Sequence, residues 1–329
     1  MLRGLLEQSL NRLWYGRAGF LAYLLWPFSC VFSCAVFFRR VLLKRLAFHP
    51  GVPVIVVGNI TVGGTGKTPM VIALAQALRE QGFKPGIISR GYGVTIKHSF
   101  IMCANDTAQQ VGDEAREMFE ASGVPIAVGP DRCASARLLC EQGCDVIVSD
   151  DGLQHYRLAR DVEFVMIDPA RGLGNGLCLP AGPLRETASR LRQADAVLSL
   201  GGDYPGAHSL SLEPVALRRV DGQADVLSFE QAREHRWQVI AAIAHPAKFL
   251  KTLDNVGIGY DLVKTLPDHA KFSPEDIDLA PGAYGIMTRK DAVKCRPLAN
   301  QHHWYLEVSA KLDAFVMNTL LKKLKKKGG

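Results

Sequence analysis

A glycine-rich loop set between a strand and a helix constrains this 329-residue chain more than any other feature. Residues Val52 to Val57, VPVIVV, form a short apolar and largely β-branched run, the pattern of a buried parallel strand. The chain then reads GNITVGGTGKTP from Gly58 to Pro69 and passes into the helical pattern MVIALAQALREQG. Strand, glycine loop and helix in that order build a phosphate cradle. Gly63, Gly64 and Gly66 let the backbone turn tightly enough for several N–H groups to face inward, and the N-terminus of the following helix adds its positive field. The nucleotide-binding stretch is Thr61, Val62, Gly63, Gly64, Thr65, Gly66, Lys67 and Thr68. Within it, Lys67 is expected to bridge the β- and γ-phosphates of ATP, and the Thr68 hydroxyl to take one position on Mg²⁺. The usual pattern has glycine where this chain has Thr61, so the loop is a variant.

A second apolar run, CDVIVS from Cys144 to Ser149, ends at Asp150, Asp151 and Gly152. A carboxylate at the carboxyl end of a strand beside the phosphate-loop strand is where Mg²⁺ or its water is held, although two adjacent acids also make a solvated turn or a helix cap. Strand-like runs near 52–57, 85–89, 124–128, 145–149 and 162–167 alternate with helical stretches. This predicts the α/β class: a P-loop NTPase-like, doubly wound parallel sheet. The length allows a second α/β lobe, expected to begin near Ala194 and to run through WQVIAAIAH to WYLEVSAKL. The expected units are an apolar helical segment at 1–46, a phosphate-loop core at 47–190, the second lobe at 191–315 and a basic tail at 316–329.

The N-terminal unit has its own constraint. Ala18 to Phe38 is 21 residues without a formal charge, about 31 Å as a helix, close to the hydrocarbon thickness of a bilayer. Arg39, Arg40, Lys44 and Arg45 follow it, and basic residues beside an apolar run suit anionic headgroups and a cytoplasmic body. Trp14, Tyr15 and Trp26 are candidate interfacial anchors. Pro27 would bend the helix, leaving open whether it crosses the bilayer or lies in its plane. The net charge of +7 is concentrated there and in the C-terminal lysines, and it calls for neither a nucleic-acid nor an obligate protein partner. Eight cysteines include no CxxC pair, which points to reduced thiols in a cytosolic body.

Further strings follow in order: SRGYG (Ser89–Gly93), VGDE (Val111–Glu114), DDGLQH (Asp150–His155), GLGNGLCLPAGPLRE (Gly172–Glu186), LPDHAKF (Leu266–Phe272) and TRKDAVK (Thr288–Lys294). With TVGGTGKTP and the apolar N-terminus, the chain closely resembles the tetraacyldisaccharide 4′-kinases. The resemblance implies ATP- and Mg²⁺-dependent phosphorylation of the 4′-hydroxyl of the tetraacyldisaccharide 1-phosphate precursor of lipid A. It also implies a place at the bacterial inner membrane, with the catalytic body on the cytoplasmic side. By the same resemblance, Asp113 is the candidate base for the sugar hydroxyl and His269 its partner. Glu114, Asp150 and Asp151 are the metal-side acids, and Gln154 and His155 line the cleft. A carboxylate is a weak base for an alcohol, but positioning offsets that in phosphoryl transfer. With His269 on the second lobe, lobe closure would gate the reaction.

Arg90, Arg132, Arg171 and Arg185 are candidates for the 1-phosphate or for ATP, each being equally able to serve a scaffold ion pair. Asn175 either bonds sugar hydroxyls or makes a turn. Two departures from the resemblance stand out: Arg289 replaces an acid in TRKD, and the glycine usual before the His245–Pro246 pair is absent. The alternative is a membrane-recruited switch ATPase, whose loop carries a lysine where this chain has Val62.

Overall fold

The computed structural model describes residues 10–16, 19–243, 246–267 and 270–325. His245 and His269 lie outside them.

The first sheet has eight strands: β1 (Val54–Gly58), β2 (Pro85–Ser89), β3 (Phe100–Ile101), β4 (Ile126–Val128), β5 (Val146–Asp150), β6 (Val162–Ile167), β7 (Ala196–Leu200) and β8 (His208–Leu210). Their order is β3-β4-β2-β5-β1-β6-β7-β8, and every neighbouring pair is parallel except β3 with β4. Both faces are covered, which is why these strands read as continuous apolar runs. Ile55 and Val57 of β1 meet Met70, Leu74 and Leu78 of the helix Lys67–Glu80, while Val54 and Val56 on the other face meet Cys133, Ala136 and Leu139 of the helix Arg132–Glu141.

The helices that matter below are α1 (Phe20–Arg45), α2 (Lys67–Glu80), α3 (Asp113–Ser122), α4 (Arg132–Glu141), α5 (Pro246–Asn255), α6 (Arg289–Cys295) and α7 (Ala314–Lys325). The second sheet orders β10 (Val226–Leu227), β9 (Leu212–Arg219), β14 (His303–Ala310), β13 (Ala283–Thr288), β11 (Arg236–Ala241) and β12 (Leu262–Thr265). Trp237, Val239, Ile286, Trp304 and Leu306 fill one of its faces.

The expected boundaries at 190 and 316 do not match the packing. ADAVLSL is a strand, but it pairs in parallel with β6 (Phe164 with Ala196) and so extends the first sheet. The basic C-terminus is not a tail throughout. Residues 314–325 form α7, whose Val316, Leu320 and Leu324 recur at i, i+4 and i+8 and bury against Ala196, Leu198 and Leu210 of the first lobe. The chain therefore leaves the second sheet and returns to the first; the lysines between those apolar positions conceal the stripe in the sequence.

Helix α1 runs unbroken through Pro27 and is long and apolar enough, by length and composition, to cross a membrane. Phe20, Tyr23, Trp26, Phe28 and Phe38 are exposed, whereas Ala22 and Ser29 face the body. Ser29 Oγ donates to the Cys178 carbonyl at 2.7 Å and accepts from Ala181 N at 3.1 Å. Trp14, expected at a membrane interface, is instead buried on the same loop, with Nε1 donating to the Pro180 carbonyl at 3.0 Å. A Ser29→Ala change would orphan a buried Ala181 N–H, at about 1–3 kcal/mol. Denaturant unfolding in detergent is expected to show a lowered midpoint. An unchanged midpoint would mean that α1 does not dock on residues 178–181.

Candidate active site

The phosphate loop leaves β1 beside the acids because β1 and β5 pair in parallel, with Val57 opposite Asp150. Gly63 (φ 108°) and Gly66 (φ 78°) sit in the left-handed region, and a Cβ on Gly66 would come within 2.9 Å of Leu200 Cδ2. Glycine is required at 66 on both counts. At Thr61 it is not. Thr61 forms an antiparallel bridge with Leu184, while Val62 N donates to the Pro183 carbonyl at 2.9 Å and Arg185 N to the Ile60 carbonyl at 2.6 Å. Extended backbone pinned to a neighbouring strand-like segment accepts a β-branched residue, which accounts for the variant loop.

Lys67 opens α2 with its Nζ 3.6 Å from Asp151 Oδ1. Asp151 is, among the described residues, the one non-glycine with positive φ (45°), a conformation that needs support from its surroundings. Arg185 supplies it, with Nη1 at 3.2 Å from Asp151 Oδ2. Burial pushes the Asp151 carboxyl up, but Lys67 and Arg185 outweigh it and leave a net lowering. Asp150 behaves oppositely: burial first, then the charges of Glu114 and Asp151, push its carboxyl up to about 7. Its Oδ1 is buried with no hydrogen-bond partner among the described residues. A buried carboxylate oxygen with no partner among the described residues, beside the acids Asp151 and Glu114, is an oxygen donor set suited to a hard divalent cation.

The arginines divide. Arg132 is buried, and its Nη2 donates to the Asp150 carbonyl at 2.8 Å, so it supports the acid strand from behind. Arg185 holds Asp151. Arg171 lies against the loop itself: its guanidinium is 5.2 Å from the Tyr15 ring centroid, and its Nη1 is 3.2 Å from where a Cβ on Gly63 would sit. Arg90 is exposed at the end of β2. Asn175 makes a turn, because Nδ2 donates to the Leu13 and Ala181 carbonyls while Oδ1 accepts from Leu177 N.

His155 stays neutral: burial, then Arg132, push its pKa down to about 4. It stands with Asp131 and Cys133 in a cluster of metal-ligand spacing. That cluster is poorly suited to a cation, because Asp131 already caps α4 through Cys133 N and Ala134 N, and arginines surround it. Sequence reasoning missed Glu186, a buried acid that accepts from Gln154 Nε2 at 3.0 Å and pairs with Arg190 and with Arg40 of α1. Its only sequence signal is its position at the end of the 172–186 string.

Asp113 occupies the first turn of α3, and the next residue, Glu114, is near enough to Asp150 to raise its pKa. Its Oδ2 is 3.7 Å from Lys294 Nζ of the second lobe. The other half of the expected dyad, His269, lies outside the described residues.

A family model described as tetraacyldisaccharide-1-P 4′-kinase matches residues 21–325. The tetraacyldisaccharide 4′-kinase of Shewanella halifaxensis is 43% identical over 326 residues, covering 97% of this chain and 98% of that protein. That of Legionella pneumophila is 43% identical over 310 residues, covering 92% and 93%. In three dimensions the chain is similar to LpxK from Aquifex aeolicus in complex with ATP, with a TM-score of 0.78 and 28% identity over 93% of this chain and 99% of that one.

The raised Asp150 carboxyl has a measurable consequence. The folded chain holds this proton more tightly than the unfolded chain does, so its contribution to stability declines as pH rises from about 4 to about 7. Cation binding has the opposite sign, since it needs the carboxylate. Calorimetric Mg²⁺–nucleotide affinity is therefore expected to fall by up to about tenfold per pH unit below about 7, with proton release on binding. Asp150→Asn should abolish both the affinity and its pH dependence. A pH-independent affinity in the unaltered protein would exclude Asp150 from the cation site.

Proposed function

This chain belongs to the tetraacyldisaccharide-1-P 4′-kinase family, and on that premise we propose that it transfers the γ-phosphoryl group of ATP to the 4′-hydroxyl of tetraacyldisaccharide 1-phosphate. The observation that carries this reading is one crevice at the ends of β1 and β5. It holds a phosphate loop, the Lys67–Asp151 pair, a buried carboxylate oxygen with no hydrogen-bond partner among the described residues and, next to Glu114, a candidate acceptor for the hydroxyl proton.

The roles follow from charge and position. The loop amides and the start of α2 receive the phosphates, and Lys67 shifts from Asp151 to the transferring group. Arg171 lies where it can add a second positive charge to the nucleotide side. Asp150, Asp151, Glu114 and Thr68 would hold Mg²⁺, which when bound neutralises phosphate charge. As the 4′-oxygen bonds to Pγ, the bond from Pγ to the β–γ bridging oxygen breaks and ADP leaves. The hydroxyl proton passes to Asp113, with His269 supporting that carboxylate.

The exposed aromatic face of α1 and the basic residues at its end support attachment to the inner membrane, with the body on the cytoplasmic side where ATP is available. The docking of α1 beside the 172–186 loop brings a lipid-borne acceptor close to the crevice. The two sheets, with α7 assigned to the first, are the two lobes between which that acceptor would sit.

Labelled ATP incubated with Mg²⁺ and detergent-dispersed tetraacyldisaccharide 1-phosphate is expected to give a labelled lipid. Release of phosphate without labelled lipid would favour a switch ATPase. In the same assay Lys67→Ala should reduce turnover by about 10²–10³-fold or more, with the protein still folded. Near-normal turnover would remove the loop from catalysis.

A further inference from the structure

Helix α6 starts at the N-cap Thr288, whose hydroxyl accepts from Asp291 N at 3.3 Å and pairs with Asp291 Oδ2 at 2.8 Å. This leaves Asp291 fully buried, and its Oδ1 lies 3.5 Å from the ammonium of Lys294. The Lys294 side chain is itself only 8% exposed. A lysine held by a buried acid and confined along its stem has little rotamer freedom, so what it reaches is set by what packs against α6.

Two groups from other segments meet that ammonium. Asp113 Oδ2, from the first turn of α3 in the first lobe, is 3.7 Å away. The Phe272 ring, from the LPDHAKF string, has its centroid 5.7 Å away. Attachment of the lobes does not depend on Lys294 alone, since Arg296 at the end of α6 pairs with Glu120 near the far end of α3. The contact at the Asp113 end is therefore available for another purpose.

We propose that Lys294 is a positioning residue for Asp113. Its ammonium, fixed by Asp291, anchors Asp113 Oδ2 and so sets the orientation in which the carboxylate meets the hydroxyl. This happens only while α6 packs on α3, so carboxylate orientation and lobe approach are coupled through one cation. The proposal rests on the reading of Asp113 as the acceptor of that proton.

Steady-state kinetics of the full chain in detergent, with ATP, Mg²⁺ and tetraacyldisaccharide 1-phosphate, tests it. Lys294→Met is expected to lower kcat by about 10–100-fold with KM for ATP changed less than about twofold, the mark of lost positioning rather than lost nucleotide binding. Lys294→Arg should recover most of kcat. Because Lys294→Met strands a buried acid, the combination Lys294→Met with Asp291→Asn keeps the pocket neutral and should show the same loss. In an Asp113→Asn background, Lys294→Met should cost nothing further.

Wild-type kcat in the Lys294→Met/Asp291→Asn protein overturns the proposal. So do costs of Lys294→Met and Asp113→Asn that multiply. Both results leave Asp113 as the base, provided Asp113→Asn alone is deeply impaired. Full kcat in Asp113→Asn alone overturns the base reading, and this proposal with it.

Discussion

The parallel pairing of β1 with β5 is the constraint on which the site depends. Placing Val57 opposite Asp150 puts the first turn of the phosphate loop beside two consecutive acids. The Lys67–Asp151 contact follows from that register, and so does the left-handed backbone of Asp151, an unfavourable conformation tolerated because Lys67 and Arg185 grip its carboxylate. Asp150, one residue earlier, faces inward, where burial and then the charges of Glu114 and Asp151 outweigh Lys67 and Arg132 and push its carboxyl up. Adjacent identical residues thus take opposite electrostatic characters from the end of one strand.

The segment 175–186 ties this centre to the N-terminal helix. Its backbone pairs with Ile60, Thr61 and Val62 of the loop, its Arg185 holds Asp151, and its Cys178 and Ala181 receive Ser29 of α1. Trp14 and Asn175 lock the same segment to residues 13 and 14. One segment thus contacts both α1 and the phosphate loop, by hydrogen bonds at each end and by the Arg185–Asp151 ion pair. On the opposite side, α3 connects the acids to the second lobe through Lys294 and Arg296.

What the sequence made legible was local. The runs at 52–57, 85–89, 145–149 and 162–167 fall on β1, β2, β5 and β6, because a strand buried on both faces announces itself by composition. The phosphate loop was equally plain, its glycines and lysine being contiguous. What failed depended on pairing across the chain. ADAVLSL reads as a strand but carries no mark of which sheet it joins, and the apolar positions of α7 are masked by lysines. Thr61 marks the loop as a variant in the sequence, and only its bridge to Leu184 supplies the reason. The turn offered for Asn175 is what its bonds to Leu177 and Ala181 make, but Glu186 meets Gln154 and Arg40, and Lys294 meets Asp113, at distances in sequence that no spacing rule reaches.

Backbone amide hydrogen exchange with a non-hydrolysable ATP analogue and Mg²⁺ measures the central assertion most directly, that nucleotide phosphates occupy the loop at the ends of β1 and β5. Protection concentrated in residues 62–68, with a smaller gain at 150–152 and both lost in Lys67→Ala, is the expected result. Unchanged exchange in the loop, with protection appearing instead in the second sheet, would contradict it.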